Sequence, residues 1–324
     1  MSLNVVFDRV GGPEVLQLLD RPVAAPGPGE IRLRHAAIGL NFIDVYHRSG
    51  VYKLPLPSGL GTEAAGTVTA LGPDVKGFAV GDRVAYAGGP PGAYSQERLL
   101  PAAGAVKLPA AVSEEAAAAL MLKGMTAYYL LHLTFPVRPG HTLLVHAAAG
   151  GVGSVLVPWA KHLGARVIGT AGSADKARLA LAAGCDHVIV YRDRDFAAEV
   201  RELTGGTGVD VVYDSVGKDT FAGSLASLRR RGMMVSFGNA SGKVPPFEPV
   251  LLADHGSLFL TRPTLAHYTA TREELDTAAH ALFEVIARGI VRPQIGQRYA
   301  LRDVAQAHAD LEARRTTGTT LLLP

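Results

Sequence analysis

The pattern of apolar and polar positions changes once along the chain, near residue 122. Before that point, short apolar runs are broken by glycine and proline. Val5-Val6-Phe7 reads as a strand, Gly11-Gly12-Pro13 and Pro26-Gly27-Pro28-Gly29 as turns, and residues 31–38 (I-R-L-R-H-A-A-I) alternate as a half-buried strand does. Residues 65–72 predict another strand, and Val80-Gly81-Asp82 turns into a further one at Arg83. Many short strands between Gly/Pro turns point to a small barrel or sandwich. Ser113, followed by Glu114 and Glu115, is placed to cap an alanine-rich helix, and a second helical segment is expected from Lys123-Gly124 onward.

From there to about residue 260, apolar runs alternate with helix-period stretches. Strands are predicted at 142–146, 166–170, 187–191, 209–213 and 233–237, with one more at 258–260. That alternation implies a doubly wound parallel sheet. Residues 271–287 and 301–315 read as helices, the second basic and amphipathic, and 319–323 as a strand returning to the first domain. The expected class is α/β: a dinucleotide-binding domain at 123–262 and a mostly β catalytic domain at 1–122, completed by 263–324.

The densest chemical signal lies at the first strand of the alternating half. Leu143-Leu144-Val145 runs into H-A-A-A-G-G-V-G, then a helical pattern closed by Gly164, then Val167-Ile168. Strand, small-residue turn, helix, strand is the opening of a dinucleotide-binding unit. Its turn must let the backbone approach a pyrophosphate, whose charge sits on helix N-terminal N–H groups. Gly150, Gly151 and Gly153 with Val152 form the turn, and Ala148 takes the first place of the G-x-G-x-x-G pattern. About 20 residues further on, an NAD site offers a carboxylate to the ribose. Here the second strand ends in Ala171-Gly172-Ser173-Ala174-Asp175-Lys176. Space, a hydroxyl and an ammonium suit a 2′-phosphate, so NADPH is expected over NADH; the alternative is that Lys176 only opens the next helix in solvent.

Ligands of doubly wound sheets lie at the carboxyl ends of the strands. The later strands end in Tyr191-Arg192-Asp193, in Tyr213-Asp214-Ser215-Val216-Gly217, and in Phe237-Gly238-Asn239-Ala240-Ser241-Gly242. Tyr191 is placed to lie against an adenine, to meet a 2′-phosphate, or merely to end a strand half-exposed. Val216-Gly217 and Gly238-Asn239 would let a nicotinamide come close. In the first domain, Asn41 to Tyr46 and then Tyr52 form the candidate substrate end. The chain has three asparagines, and two of them, Asn41 and Asn239, fall in these loops. Tyr46 and Tyr52 could bound an aromatic substrate or donate to its oxygen.

Composition removes other classes. A formal charge of +3 on 324 residues, without basic blocks, gives no sign of nucleic-acid binding. Apolar stretches fall short of the roughly 18 residues a membrane span needs. Met1 to Arg9 carries no basic leader, and the single cysteine, Cys185, cannot form an intramolecular disulfide, so a cytoplasmic compartment is expected. There is no G-x-S-x-G elbow and no P-loop lysine, and 11 histidines are scattered without metal-ligand spacing, so no metal is expected.

Five motifs then occur in order: N-F-I-D-V-Y-x-R-S-G-x-Y (41–52), G-L-G-T-E-A-A-G (59–66), H-A-A-A-G-G-V-G (146–153), V-Y-D-S-V-G (212–217) and S-F-G-N (236–239). With them the chain closely resembles the bacterial NADPH:quinone oxidoreductases, relatives of zeta-crystallin in the medium-chain dehydrogenase/reductase superfamily. Zinc members carry a histidine before the glutamate of the second motif, a cysteine near the Asn41 position and a four-cysteine lobe. Here Thr62 and Asn41 stand in those places and the lobe is missing, which resembles the zinc-free branch. The resemblance implies a GroES-like domain beside the Rossmann domain, a site in the cleft between them, and a homodimer joined edge to edge near Leu258–Thr261. It also implies an NADPH site drawn from Asn41, Phe42, Asp44, Tyr46, Tyr129, Gly151, Val152, Gly153, Gly172, Ser173, Lys176, Tyr191, Val216, Gly238, Asn239, Ala240, Ser241, Pro263, Thr264, Leu265 and Arg314. Lys176 and Tyr191 would be the 2′-phosphate partners. The expected reaction is NADPH-dependent quinone reduction by hydride transfer without zinc, with Asn41, Tyr46 and Tyr52 positioning substrate and nicotinamide. Its rivals are reduction of activated C=C bonds in enones or alkenals, and a non-catalytic cofactor-binding role.

Overall fold

The computed structural model describes residues 1–191 and 194–324; Arg192 and Asp193, named above at a strand end, lie outside the described residues. The chain forms two compact units, one of Met1–Met125 with Thr269–Pro324, the other of Thr126–Tyr268.

The first unit opens with β1 (Ser2–Phe7), β2 (Gln17–Arg21), β3 (Glu30–Leu40), α1 (Phe42–Arg48), β4 (Ser58–Gly59), β5 (Glu63–Leu71), β6 (Arg83–Ala87), β7 (Glu97–Pro101) and β8 (Val106–Lys107). The division between the units falls within α2 (Glu114–Tyr129). The second unit holds β9 (Thr142–Val145), α3 (Gly153–His162), β10 (Arg166–Ala171), α4 (Ala174–Ala182), β11 (His187–Val190), α5 (Phe196–Leu203), β12 (Val209–Asp214), α6 (Phe221–Ser227), β13 (Leu228–Ser236), α7 (Val250–Asp254), β14 (Phe259–Thr261) and α8 (Leu265–Tyr268). The first unit is completed by α9 (Arg272–Ala287), β15 (Ile295–Ala300), α10 (Val304–Glu312) and β16 (Thr319–Leu323).

In the first unit, one sheet runs β15-β16-β3-β5-β6-β8, with β7 also pairing β3, and a smaller one runs β2-β1-β4. The returning strand β16 lies antiparallel to β3, Thr320 opposite Leu40. Inward residues of these strands, among them Phe7, Ile31, Leu33, Ile38, Val68, Val84 and Leu322, share one buried core.

Ser113 caps α2 as expected, its Oγ accepting the Ala116 N–H at 3.2 Å. The helix does not restart at Lys123-Gly124, however; it runs unbroken through both. Gly124 is needed there for packing: a Cβ on it would lie 2.3 Å from Leu282 Cδ1 of α9. The last helix is also shorter than expected. A 3-10 turn at Leu301–Asp303 precedes α10, which ends before Arg314 takes a left-handed φ of +60°.

The second unit is a single parallel sheet in the order β11-β10-β9-β12-β13-β14. The winding direction reverses between β9 and β12, so the crevice for a ligand opens at their carboxyl ends. Leu144, Ile168, Ile189, Val212 and Met234 fill its core. Both faces of a parallel sheet are covered, which is why its strands read as near-continuous apolar runs.

Candidate active site

The carboxyl ends of the six parallel strands gather every candidate of the second unit except Tyr129, Thr264 and Leu265. After β9 the chain turns at Ala147 (φ +51°), and α3 begins at Gly153. A Cβ on Gly153 would stand 2.5 Å from the Ala148 carbonyl oxygen and 2.6 Å from that of Ala147, so only glycine closes this turn. In the first turn of α3 the Ser154 N–H donates to the Gly150 carbonyl at 2.8 Å and the Leu156 N–H to that of Val152 at 2.8 Å, so the anion-binding end of the helix falls on the turn at Gly151, Val152 and Gly153.

After β10, Ser173 caps α4, its Oγ accepting the Lys176 N–H at 3.3 Å. Asp175 is 81% exposed in its side chain and pairs with Arg178, so its charge is directed to a neighbour on the helix surface. Tyr191 follows β11, and Pro263 follows β14 by two residues. Tyr129, at the end of α2, stacks face to face on Tyr268, with ring centroids 4.4 Å apart. The Tyr268 hydroxyl is in turn bonded to Thr134 at 3.0 Å.

The turn after β12 and the loop after β13 are stapled together. Ser241 N–H donates to the Val216 carbonyl at 2.8 Å, Lys218 N–H to that of Gly242 at 3.1 Å, and Ala240 N–H to that of Ser215 at 3.2 Å. Beneath them lies a polar network that the sequence reading did not find. The buried Asp214 carboxylate accepts four hydrogen bonds: Oδ1 from the Val216 and Gly217 N–H groups at 2.8 and 2.9 Å, Oδ2 from the Thr220 and Ser224 hydroxyls at 2.7 and 2.8 Å. Ser224 Oγ also meets His146 Nε2 at 2.9 Å, and His146 Nδ1 meets Thr170 Oγ1 at 2.9 Å. Burial holds the His146 ring below its ordinary pKa, against the pull of Asp214.

In the first unit, Asn41 sits between β3 and α1. Its backbone N–H donates to Asp44 Oδ2 at 2.9 Å, and its amide Nδ2 donates to Glu63 Oε2 at 2.7 Å. Glu63, wholly buried, also accepts from Lys123 Nζ at 3.2 Å and from the Leu122 N–H at 2.6 Å. A carboxylate can only accept, so the Asn41 NH2 must face Glu63, and Oδ1 is the acceptor it turns the other way. A Cβ at Gly39 would lie 2.2 Å from Glu63 Oε2, which accounts for the glycine before this loop.

Asp44 is buried rather than turned outward, and its Oδ2 also accepts from the Tyr94 hydroxyl at 2.8 Å. Its Oδ1 has no partner among the described residues. Burial lifts its carboxyl to a pKa of about 7, against the two donors that pull it down. Tyr94 joins His308 Nε2 at 3.2 Å, His308 Nδ1 joins Arg48 at 3.0 Å, and Arg48 reaches Glu312 at 2.7 Å. Burial and the Arg48 charge push the His308 ring down to about 3, so it is neutral. Phe42, Tyr46 and Tyr52 cluster beside Asn41: the Phe42 and Tyr46 rings are 5.7 Å apart, and Tyr46 meets Tyr52 edge to face at 5.2 Å. Arg314 is exposed after α10.

Among the described residues, no three His, Cys, Asp or Glu side chains group as a metal site requires. The partners that sequence reasoning missed (Lys123, Tyr94, His308, His146, Thr170, Ser224, Tyr268) are ordinary residues in sequence; contact alone identifies them.

Two family models match the chain: an alcohol dehydrogenase GroES-like domain over residues 27–110 and a zinc-binding dehydrogenase over 151–284. A quinone oxidoreductase of Pseudomonas aeruginosa is 53% identical over the whole of both chains. A 2-haloacrylate reductase of a Burkholderia species is 48% identical over 100% of this chain and 99% of its own. The crystal structure of Escherichia coli quinone oxidoreductase complexed with NADPH superposes with a TM-score of 0.98 at 51% identity, covering 99% of this chain and 100% of that one.

Proposed function

The chain belongs to the quinone oxidoreductase family of the medium-chain dehydrogenases/reductases, and from that premise we propose that it reduces quinones with NADPH by hydride transfer. The observation that carries this reading is full-length identity of about half to proteins of that name, one of them solved with NADPH. The residues present fit that cofactor. A tight glycine turn leads directly into α3, where a backbone-bound pyrophosphate would sit, no carboxylate follows β10 directly, and Asp175 is paired with Arg178. The proposed cofactor contacts are Gly151, Val152, Gly153, Gly172, Ser173, Lys176, Tyr191, Val216, Gly238, Asn239, Ala240, Ser241 and Pro263 at the strand ends, with Asn41, Phe42, Tyr46 and Arg314; Asp44 is wholly buried and supports Asn41 instead.

When bound, NADPH supplies the hydride and its electron pair. The turn at Gly151, Val152 and Gly153 that opens α3 would hold the pyrophosphate, and Ser173 and Lys176 would hold the 2′-phosphate. Asn41 presents an amide oxygen whose direction Glu63 and Lys123 fix, and Tyr46 and Tyr52 offer hydroxyls to the acceptor oxygen. Asp44 acts from within, by holding the Asn41 backbone. A quinone accepts an electron pair without a Lewis acid, and Glu63 is already engaged by three donors, which supports a zinc-free site. The family likeness and the free edge of β14, with Phe259 60% exposed, support a homodimer joined through that strand. We place the protein in the cytoplasm.

The likeness to a 2-haloacrylate reductase favours one second reading, reduction of an activated C=C bond. Initial rates of NADPH consumption with an ortho-quinone and with an α,β-unsaturated ketone, measured side by side, decide between them. Faster turnover of the quinone is expected; a clear preference for the enone overturns the substrate class while leaving the cofactor. Lys176→Ala tests the cofactor: it is expected to weaken NADPH by ten- to a hundredfold, about 1.5–3 kcal/mol, and to leave NADH nearly unchanged. Equal losses for both would return Lys176 to a structural role.

A further inference from the structure

The Asp214 network has a direction that its chemistry dictates. An ionised carboxylate only accepts, so the Ser224 hydroxyl must donate to Asp214 Oδ2. Ser224 Oγ then accepts, and the proton between it and His146 sits on Nε2. The neutral ring leaves Nδ1 as an acceptor, so Thr170 donates to it. One oriented chain therefore runs from β10, through the residue after β9, across α6, to the last residue of β12. Thr170, Ser224 and Asp214 are fully buried and His146 is 1% exposed, so solvent does not compete with these bonds.

The other carboxylate oxygen holds the backbone. Val216 and Gly217 N–H both point at Oδ1, and Gly217 takes a φ of +91°. A Cβ on Gly217 would stand 2.6 Å from the Gly242 carbonyl oxygen, and one on Gly238 2.4 Å from that of Ser215. The two loops are thus packed backbone to backbone, and moving one moves the other. The loop after β10 is built separately, on the Ser173 cap of α4.

We propose that Asp214 is a positioning residue for the nicotinamide half of the dinucleotide, setting the 215–217 turn and through it the 238–242 loop, while leaving the adenosine half to other residues. This rests on the nucleotide-site reading above. The consequence is a split in affinity: disturbing Asp214 weakens the whole dinucleotide but spares a fragment that ends before the nicotinamide.

Asp214→Asn tests it. The Val216 and Gly217 N–H groups require the Asn oxygen on their side, so its NH2 takes the place of Oδ2 and faces Ser224. The oriented chain must then reverse and carry the His146 proton from Nε2 to Nδ1, which ring ¹⁵N chemical shifts report. Two charge-assisted bonds to the turn become neutral, and the Kd for NADPH is expected to rise roughly tenfold. The Kd for 2′,5′-ADP should stay within about twofold of wild type, a difference too small to signal a lost bond. If NADPH binding is unchanged although the His146 proton has moved, or if both ligands weaken equally, the proposal fails. Should Asp214→Asn not fold, Ser224→Ala cuts the chain and leaves Asp214 three donors; it is expected to weaken NADPH selectively, and unaltered NADPH binding overturns the proposal. A wild-type protein that binds neither ligand overturns the cofactor reading itself, whereas one that binds both, with variants that match it, overturns this inference alone.

Discussion

Each unit buries an aspartate beneath its proposed site, and the two are treated differently. Asp214 receives two backbone N–H groups and two hydroxyls, filling both of its oxygens. Asp44 receives one N–H and one hydroxyl, both on Oδ2, and Oδ1 is left bare among the described residues. Nearby, Glu63 shows a third arrangement, with an ammonium among its three donors. A buried carboxylate is tolerable in proportion to the donors aimed at it, and a helix or turn start is a rich source of donors. Where the donors are too few, as at Asp44, proton uptake makes up the difference.

The largest effect should come from Lys123→Met, which strips the cation from Glu63 and leaves the charge buried. A loss of roughly 3–5 kcal/mol is expected in denaturant unfolding. Adding Glu63→Gln should recover most of it, and a double variant as unstable as the single one would show that the pair is not the cause.

Asp44→Asn comes next and gives the comparison a pH axis. The folded-state pKa of Asp44, about 7, lies above its ordinary 3.8. Between those values the unfolded chain releases the proton and the folded one keeps it, so wild-type stability declines as pH rises through that window. The Asn variant has no such term. Relative to wild type it should therefore gain about 2–4 kcal/mol between pH 4 and pH 8. Parallel stability profiles for the two proteins would contradict the assignment. Thr220→Val is the smallest: Asp214 keeps three donors, and a loss of about 1 kcal/mol is expected, measured by the same unfolding experiment.

The sequence made some layers of this molecule legible and hid others. Parallel strands buried on both faces, such as β9 and β10, advertise themselves as apolar runs, and the glycine turn between β9 and α3 is local. β2 carries mostly exposed side chains, so no alternation marks it as a strand. Gly124 reads as a helix boundary because the residue that requires it, Leu282, lies in another helix far along the chain. The same holds for the sites. Asn41, Tyr46 and Tyr52 stand close enough in sequence to suggest one cluster. Glu63 and Lys123, or His146 and Ser224, are joined only by folding, since 60 and 78 residues separate the members of each pair.

The placement of β16 against β3 also bears on how the protein is made. The second unit is one continuous stretch, complete once Tyr268 has been synthesised. The first unit must wait for its final strand, which ends 198 residues after Met125. At about 5–20 residues per second, that interval lasts roughly 10–40 s. Throughout it the edge of β3 that β16 will cover stays open on the nascent chain, a template for unwanted strand pairing. Translation speed over residues 126–323 thus sets how long this half-built sheet is exposed to other chains.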